Sequence, residues 1–346
     1  MPLSELTVRV CVNTYMNHPE ELLKLVELLD EKILFLKGKK ITEANPLVLF
    51  QLSQEIEEAE TQRQVFKLEI ESINCGLNSQ KLYLALLKLG YKDQILAFKK
   101  FVRSQSIGAF LIHGCPDYGQ RWLLNRLVTQ HIDSGTTNKT LPLPVELHRI
   151  GRRTDISTLW RELGGRCGLR RQSTVADIKE EIIDRVYQCW QTQNVVLIFH
   201  DVDCMPENYL HTLIHEFWLP LATQARETAS STRKYRLLMF LIDYEGCVGT
   251  RETLFVERIE PNWEAKIPVK LPVINQFCEP ELNEWLDTVE MEFDELPLTE
   301  VISQKDDLIQ EILDNSNNGI PELTFSEICD RCECNWYEVK DRWLKL

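Results

Sequence analysis

The chain has 346 residues, of which 44% are hydrophobic and 27% charged, an ordinary globular composition long enough for two or three domains. The net charge of −14 resides in residues 274–346, which carry five basic and nineteen acidic side chains and repel phosphate backbones. No apolar run reaches the roughly 18 residues of a membrane span, and Met1-Pro-Leu-Ser-Glu-Leu6 lacks the basic and apolar regions of a signal peptide, so a cytoplasmic protein without membrane contact is expected.

Residues 1–77 predict a helical hairpin with no catalytic constellation. One helix opens at Pro19 with acidic residues at the positive end of its dipole and closes at Gly38. Its partner runs from Pro46 to about Asn74, with Leu47, Leu49, Phe50, Ile56, Phe66, Leu68 and Ile70 flanking a polar centre. This hairpin is expected to serve as an interaction region or spacer. Residues 78–105 predict two short amphipathic helices broken at Gly90, a linker leading into the next domain.

Residues 106–273 alternate strand and helix. Strands are predicted at 107–113, 144–149, 195–201, 235–243 and 269–271, and helices at 119–130, 156–163, 175–192 and 208–225. Near-continuous apolar strands separated by helices predict an α/β domain whose mainly parallel sheet is sandwiched by helices.

The first strand runs into Gly114-Cys-Pro-Asp-Tyr-Gly-Gln-Arg121 and then an apolar pattern of helical period. That is the layout of a phosphate-binding loop, G-x-x-x-x-G-K-[ST], in which backbone N–H groups cradle phosphates, Lys reaches the β/γ oxygens and the hydroxyl ligates Mg²⁺. Gly114 and Gly119 keep the spacing. Gln120 stands in place of the Lys and offers no charge; Arg121 stands in place of the Ser/Thr and cannot ligate a cation. Two glycines at a strand-to-helix turn also arise by chance, and what favours the loop reading is its context.

In P-loop ATPases a later strand ends in an acid that organises Mg²⁺, often followed by a second that polarises water. Asn194-Val-Val-Leu-Ile-Phe-His-Asp-Val-Asp203 places His200 at the first position and keeps Asp201 at the second. The alternative role for Asp201 and Asp203 is to cap the helix starting near Pro206. Leu237–Asp243 then ends in Asp where related ATPases place a γ-phosphate sensor. Gly114, Gly119, Gln120, Arg121, His200 and Asp201 are thus the positions of a degenerate nucleotide site, and no catalytic residue, metal or cofactor is expected.

Other constellations are weaker. His211 and His215 have i,i+4 spacing but no evident third ligand. The run Arg149, Arg152, Arg153, Arg161, Arg166, Arg170 and Arg171 suits an acidic mate, either the acidic end of the same chain or another protein. Eleven scattered cysteines suit free thiols in a reducing compartment, and Cys329, Cys332 and Cys334 lack the fourth ligand of a zinc site. Residues 274–346 predict an acidic helical domain. Its last helices, about 324–331 and 336–345, sit at helix-turn-helix distance, yet Lys340, Arg342 and Lys345 are the few candidates for phosphate contact, which favours packing over DNA reading.

Leu84–Gln94, Gly108–Val128, Leu197–Asp203, Ile320-Pro-Glu-Leu323, Trp336-Tyr-Glu338 and Trp343-Leu-Lys-Leu346 together resemble the inactive STAND family, P-loop NTPase-like proteins related to STAND signalling ATPases but with eroded nucleotide sites. The resemblance covers about residues 80–346 and leaves 1–77 unassigned. It implies a P-loop NTPase-like fold with a C-terminal winged-helix or HTH-like segment. It also implies a non-catalytic scaffold in a bacterial conflict or immune-like signalling system. Protein partners are expected at the N-terminal helices. An atypical nucleotide-binding switch or weak NTPase, and a DNA-binding regulator, stand as the alternatives.

Overall fold

In the computed structural model the apolar run Ile107–His113 forms strand β1, buried along its whole length and paired in parallel on both sides. The structure describes residues 18–43, 45–132, 140–149, 156–169, 175–228, 235–250, 254–257, 267–293, 296, 305–344 and 346. Contacts divide the chain into two units, Met1–Leu82 and Tyr83–Leu346.

The first unit is a helical hairpin of α1 (His18–Thr42) and α2 (Pro46–Leu86), the last turn of α2 lying in the second unit. Asn45 starts α2: its Oδ1 accepts from the Leu47 amide at 3.0 Å, and Pro46 occupies the first turn, where its missing N–H costs nothing. Leu36, Leu52 and Ile56 form the buried seam. Ion pairs Lys37–Glu60 and Asp30–Arg63, both 2.7 Å, fix an antiparallel register. Both helices outrun their expected ends. α1 continues through Gly38, because Lys39 and Lys40 favour the negative end of the dipole and offset the roughly 1 kcal/mol that an interior glycine costs. α2 passes Asn74 without a break.

In the second unit, β1, β2 (Thr140–Glu146), β3 (Asn194–His200), β4 (Leu237–Asp243) and β5 (Val269–Lys270) form one sheet in the order β2-β3-β4-β1-β5, with every pairing parallel. The pleat alternates. Ile107, Ala109 and Leu111 join the core beneath α5 (Ser157–Arg166), α6 (Val175–Trp190), α7 (Glu207–Thr212) and α8 (Leu219–Glu227). Phe110 points to the opposite face, where it meets Phe98 and Phe101 of α3 (Lys92–Ser104) and Phe240 of β4 at centroid distances of 5.2, 4.8 and 5.6 Å. Helix α4 (Gln120–His131) packs on that face against β1 and β4. Both faces are covered, so the strands carry no polar stripe. This is the expected α/β class, a parallel sheet sandwiched by helices.

Three boundaries differ from expectation. β2 begins at Thr140, and Leu147–Arg149 is a 3₁₀ turn. The strand takes in Pro142 and Pro144, which an edge strand tolerates because a missing N–H facing outward loses no ladder bond. The helix predicted over 208–225 is α7, a π-helical stretch Leu213–Trp218 and α8, the widened turns preceding Pro220, whose ring and missing N–H disfavour regular α geometry. Of the two helices expected between 79 and 105, the first is the end of α2. The chain turns at Gly90 (φ +64), where a Cβ would lie 2.1 Å from the Phe277 ring, so no other residue fits.

The acidic C-terminal segment contributes α9 (Glu279–Glu292), α10 (Lys305–Asn315), α11 (Pro321–Arg331) and α12 (Trp336–Trp343). It packs through aromatics. Trp336 and Phe325 lie 5.4 and 5.0 Å from the Trp122 ring of α4, and Trp285 Nε1 donates to the Ala85 carbonyl at 2.8 Å. Among the described residues its acids meet lysines, Lys88 with Glu292 and Lys92 with Glu284. Arg166 pairs with Glu162 on its own helix, and Arg152, Arg153, Arg170 and Arg171 lie outside the described residues. No described helix is long and apolar enough to cross a membrane.

Trp336 is therefore a keystone of this packing. Trp336→Ala is expected to lower unfolding free energy by about 3–5 kcal/mol in urea titration, the usual range for emptying a buried tryptophan site; a loss under about 1 kcal/mol would contradict it.

Candidate functional site

The carboxyl ends of the strands converge. His113 stands in register with Asp243, and Glu146 with His200, so the loops after β1, β2, β3 and β4 share one edge of the sheet, where ligands of open α/β folds bind. The six positions picked from the sequence are gathered there, and each is occupied by a structural bond.

Gly114 bridges Ile274 on the far side of β1, and the Ile274 amide donates to the His113 carbonyl at 3.1 Å. A Cβ at Gly114 would lie 3.0 Å from that of Ile274. Gly119 starts α4 in the left-handed region (φ +71), and a Cβ there would meet the Tyr91 hydroxyl at 2.3 Å. That hydroxyl donates to the Tyr118 carbonyl at 3.1 Å. The loop keeps its glycines for reasons of fit that need no nucleotide.

Gln120 is 1% exposed. Its Nε2 donates to the carbonyls of Gly114 (3.2 Å), Cys115 (2.9 Å) and Tyr244 (3.5 Å), so one carboxamide ties the loop to itself and to the end of β4. A lysine ammonium here would bring an unpaired buried charge. Arg121 turns to the C-terminal segment, its Nε donating to the Leu346 carbonyl at 2.8 Å. The Glu322 amide at the start of α11 donates to the Asp117 carbonyl at 3.0 Å. The loop is held from above by the segment that packs on it.

His200, also 1% exposed, stacks on Tyr244 with its Nδ1 2.8 Å from the hydroxyl, while its Nε2 is buried without a hydrogen-bond partner. Burial pushes the imidazole down to about 4, although Glu146 and Asp201 pull the other way. It is neutral at pH 7. Asp243 is buried at the sensor position. Its carboxylate accepts from the amides of Gly246 (2.8 Å), Val248 (2.7 Å) and Gly249 (3.3 Å), while burial raises its pKa. It shapes a loop whose Gly246 lies so close that a Cβ would be 2.8 Å from the Gly114 carbonyl.

Asp201 and Asp203 do not cap α7, whose N-terminal Pro206 has no side-chain cap. Asp203 Oδ1 instead accepts from the Tyr244 amide at 3.0 Å. Asp201 (φ +59) places Oδ2 2.6 Å from His148 Nδ1, and Glu146 Oε2 lies 3.7 Å from the same nitrogen. Glu146, His148 and Asp201 each offer one ligand atom, all within 4.8 Å of one another. Sequence reasoning missed this trio because Glu146 and His148 precede Asp201 by some fifty positions and carry no motif spacing; only the β2–β3 register brings them together. His211 and His215 stack on each other at 4.0 Å, and Cys329, Cys332 and Cys334 are buried. Neither set belongs to a three-ligand cluster among the described residues.

Beside the loop lies a cavity of about 650 Å³, lined in part by Cys115, Tyr118, Asn275, Gln276, Cys278 and Glu279. Its lining includes a carboxylate and no lysine or arginine, a poor match to a phosphate.

Residues 86–242 match the family model described as inactive STAND. This segment is similar to the inactive STAND family. The match begins in the last turn of α2 and ends within β4, so it contains the loop, Gln120, Arg121, His200 and Asp201, whereas Ile320-Pro-Glu-Leu323 and the terminal tryptophans lie outside it. No curated protein matches the chain. Among solved structures, the chain is similar to the Aeropyrum pernix ORC1 protein in complex with DNA, at 14% identity and TM-score 0.34 over 57% of this chain and 47% of that one. It is also similar to the Aeropyrum pernix ORC2 protein. The ADPNP-ADP form gives 16% identity and TM-score 0.36 over 56% of this chain and 49% of that one; the ADP form gives the same identity and score over 58% and 52%. The chain spans about half the length of these proteins.

The depressed pKa of His200 in the inactive STAND segment has a signed consequence. A histidine that is neutral when folded but takes up a proton near pH 6.5 when unfolded contributes stability that is full above about pH 6.5 and fades as pH falls toward 4. Wild-type protein is expected to lose about 3 kcal/mol more than His200→Gln over that interval in urea titrations at stepped pH. Equal slopes for the two proteins would contradict it.

Proposed function

We propose that the chain is a non-catalytic scaffold or adaptor of the inactive STAND kind, serving a bacterial conflict or immune-like signalling system through protein–protein contacts. The observation that carries the non-catalytic part is the Gln120 carboxamide, buried and donating to three carbonyls where a working loop needs a cation for the β/γ phosphates. γ-Phosphoryl transfer requires that cation and a properly held Mg²⁺, and losing such electrostatic groups costs orders of magnitude in rate. Arg121 retains a guanidinium but is engaged by Leu346, and the neutral His200 is a poor Mg²⁺ ligand.

The interaction part rests on the helical hairpin. Leu28, Leu34, Phe35 and Ile41 of α1 are exposed, Leu34 at 75% and Ile41 at 85%, as are Leu47 and Phe50 of α2. Apolar side chains this open over neighbouring turns suit a partner surface. Leu28 and Phe35, seven residues apart, form one stripe. Partners are proposed to be proteins rather than nucleic acid or membrane, in keeping with the acidic C-terminal segment, and the cytoplasm is the proposed location.

Two measurements check this. Purified full-length protein is expected to release no phosphate from Mg-ATP or Mg-GTP above a buffer blank; Mg²⁺-dependent release that Asp201→Ala abolishes would overturn the non-catalytic reading. Separately, Leu28→Asp with Phe35→Asp should reduce recovery of cellular protein partners by affinity purification at least tenfold, while the fold, followed by circular dichroism, stays intact. Undiminished recovery would move the partner surface elsewhere.

A further inference from the structure

We infer that Glu146, His148 and Asp201 form a binding site for one divalent transition-metal ion, independent of any nucleotide. His148 Nδ1 lies 2.6 Å from Asp201 Oδ2 and 3.7 Å from Glu146 Oε2. Three ligand atoms around a tetrahedral Zn²⁺ stand about 3.3 Å apart, given metal–ligand distances near 2.0–2.1 Å, so the two distances from His148 need adjustments of under 1 Å, and the two carboxylates, whose ligand atoms lie within 4.8 Å of each other, have to close on the same spacing. The His148–Asp201 hydrogen bond holds the imidazole in line, and a cation would replace the shared proton.

Charge points the same way. Two carboxylates approach one half-exposed imidazole, and among the described residues no lysine or arginine pairs with either carboxylate. The nearby cations are engaged elsewhere, Arg166 by Glu162 and Arg121 by the Leu346 carbonyl. A second, independent feature lies at the same strand ends. His200, directly opposite Glu146 in the β2–β3 register and adjacent to Asp201 in the chain, buries an Nε2 that has no hydrogen-bond partner. Its Nδ1 is held by the Tyr244 hydroxyl at 2.8 Å, which fixes the ring's orientation. The sheet edge thus carries, in register with Glu146 and next to Asp201 in the chain, a buried imidazole nitrogen that the fold leaves unmatched.

The mixed nitrogen and oxygen donors select the class. Imidazole favours Zn²⁺, Co²⁺ or Ni²⁺ over Mg²⁺ and Ca²⁺, which take oxygen shells. Three protein ligands leave at least one coordination position open to water.

The test uses full-length protein titrated with Co²⁺, whose visible spectrum distinguishes nitrogen and oxygen donors from the thiolates of the exposed Cys115, Cys204, Cys247 and Cys278. One equivalent should bind with d–d bands and no sulfur-to-cobalt charge transfer, and Zn²⁺ should displace it. His148→Ala and Asp201→Asn should each weaken binding at least tenfold, His211→Ala should leave it unchanged, and Mg²⁺ in hundredfold excess should not compete. His148 is half-exposed, so its removal leaves the packing intact, and a matching thermal melt checks that. Absence of Co²⁺ binding, binding with a sulfur charge-transfer band, or affinity undiminished in His148→Ala would each overturn the site.

Discussion

The buried carboxamide of Gln120 sets the geometry of the whole carboxyl edge of the sheet. By donating to the carbonyls of Gly114, Cys115 and Tyr244 it fixes the loop after β1 against the loop after β4, with its own side chain buried between them. A buried carbonyl oxygen such as that of Gly114 costs about 1–3 kcal/mol unless a donor reaches it. A glutamine can meet that need without bringing a charge. The remaining substitutions follow the same logic: His200 is neutral and stacked, Asp243 caps a loop, and Arg121 reaches outward to a backbone carbonyl. Each side chain supports the fold at a position where phosphoryl transfer would demand an unpaired charge or an open ligand site.

The acidic segment completes the arrangement. Its aromatics, Phe325 and Trp336, cover Trp122 on the first turn of α4, and its backbone bonds the loop at Asp117 and Arg121. A nucleotide-driven switch needs this region to have two arrangements with different affinities for a ligand. A second arrangement here would have to break the packing of Phe325 and Trp336 on the buried Trp122 ring. The net charge of the segment is accommodated locally, by Lys88 and Lys92 and by internal pairs such as Lys340–Glu322 and Arg331–Glu327. The net acidic charge of this segment repels phosphate backbones, and Trp336 is buried in its packing.

Much of this was legible in the sequence because the signals are local. The apolar runs of β1, β3 and β4 and the glycine spacing between them mark a parallel sheet and its loop, and the loss of Lys and Ser/Thr is visible in two consecutive letters. What escaped depends on register and on neighbours distant in the chain. β2 begins four residues before its expected start, and its two prolines are tolerated there because it is an edge strand, a fact of sheet order. Asp201 and Asp203 suggested caps because Asp before a helix commonly is one, yet their partners, His148 and the Tyr244 amide, lie 53 and 41 residues away. The Glu146–His148–Asp201 trio was invisible for the same reason. Helix length in the hairpin was underestimated because glycine and asparagine weaken a helix without ending it when flanking residues continue the pattern.

The central claim is that bonds within the protein have replaced nucleotide binding at this sheet edge. The most direct measurement is isothermal titration of the full chain with Mg-ATP and with Mg-ADP at millimolar ligand. The account predicts no saturable heat with either. A saturable isotherm with micromolar affinity, weakened by substituting Arg121 or Asp201, would contradict it, since it would require the loop to release the bonds that Gln120 and Arg121 make.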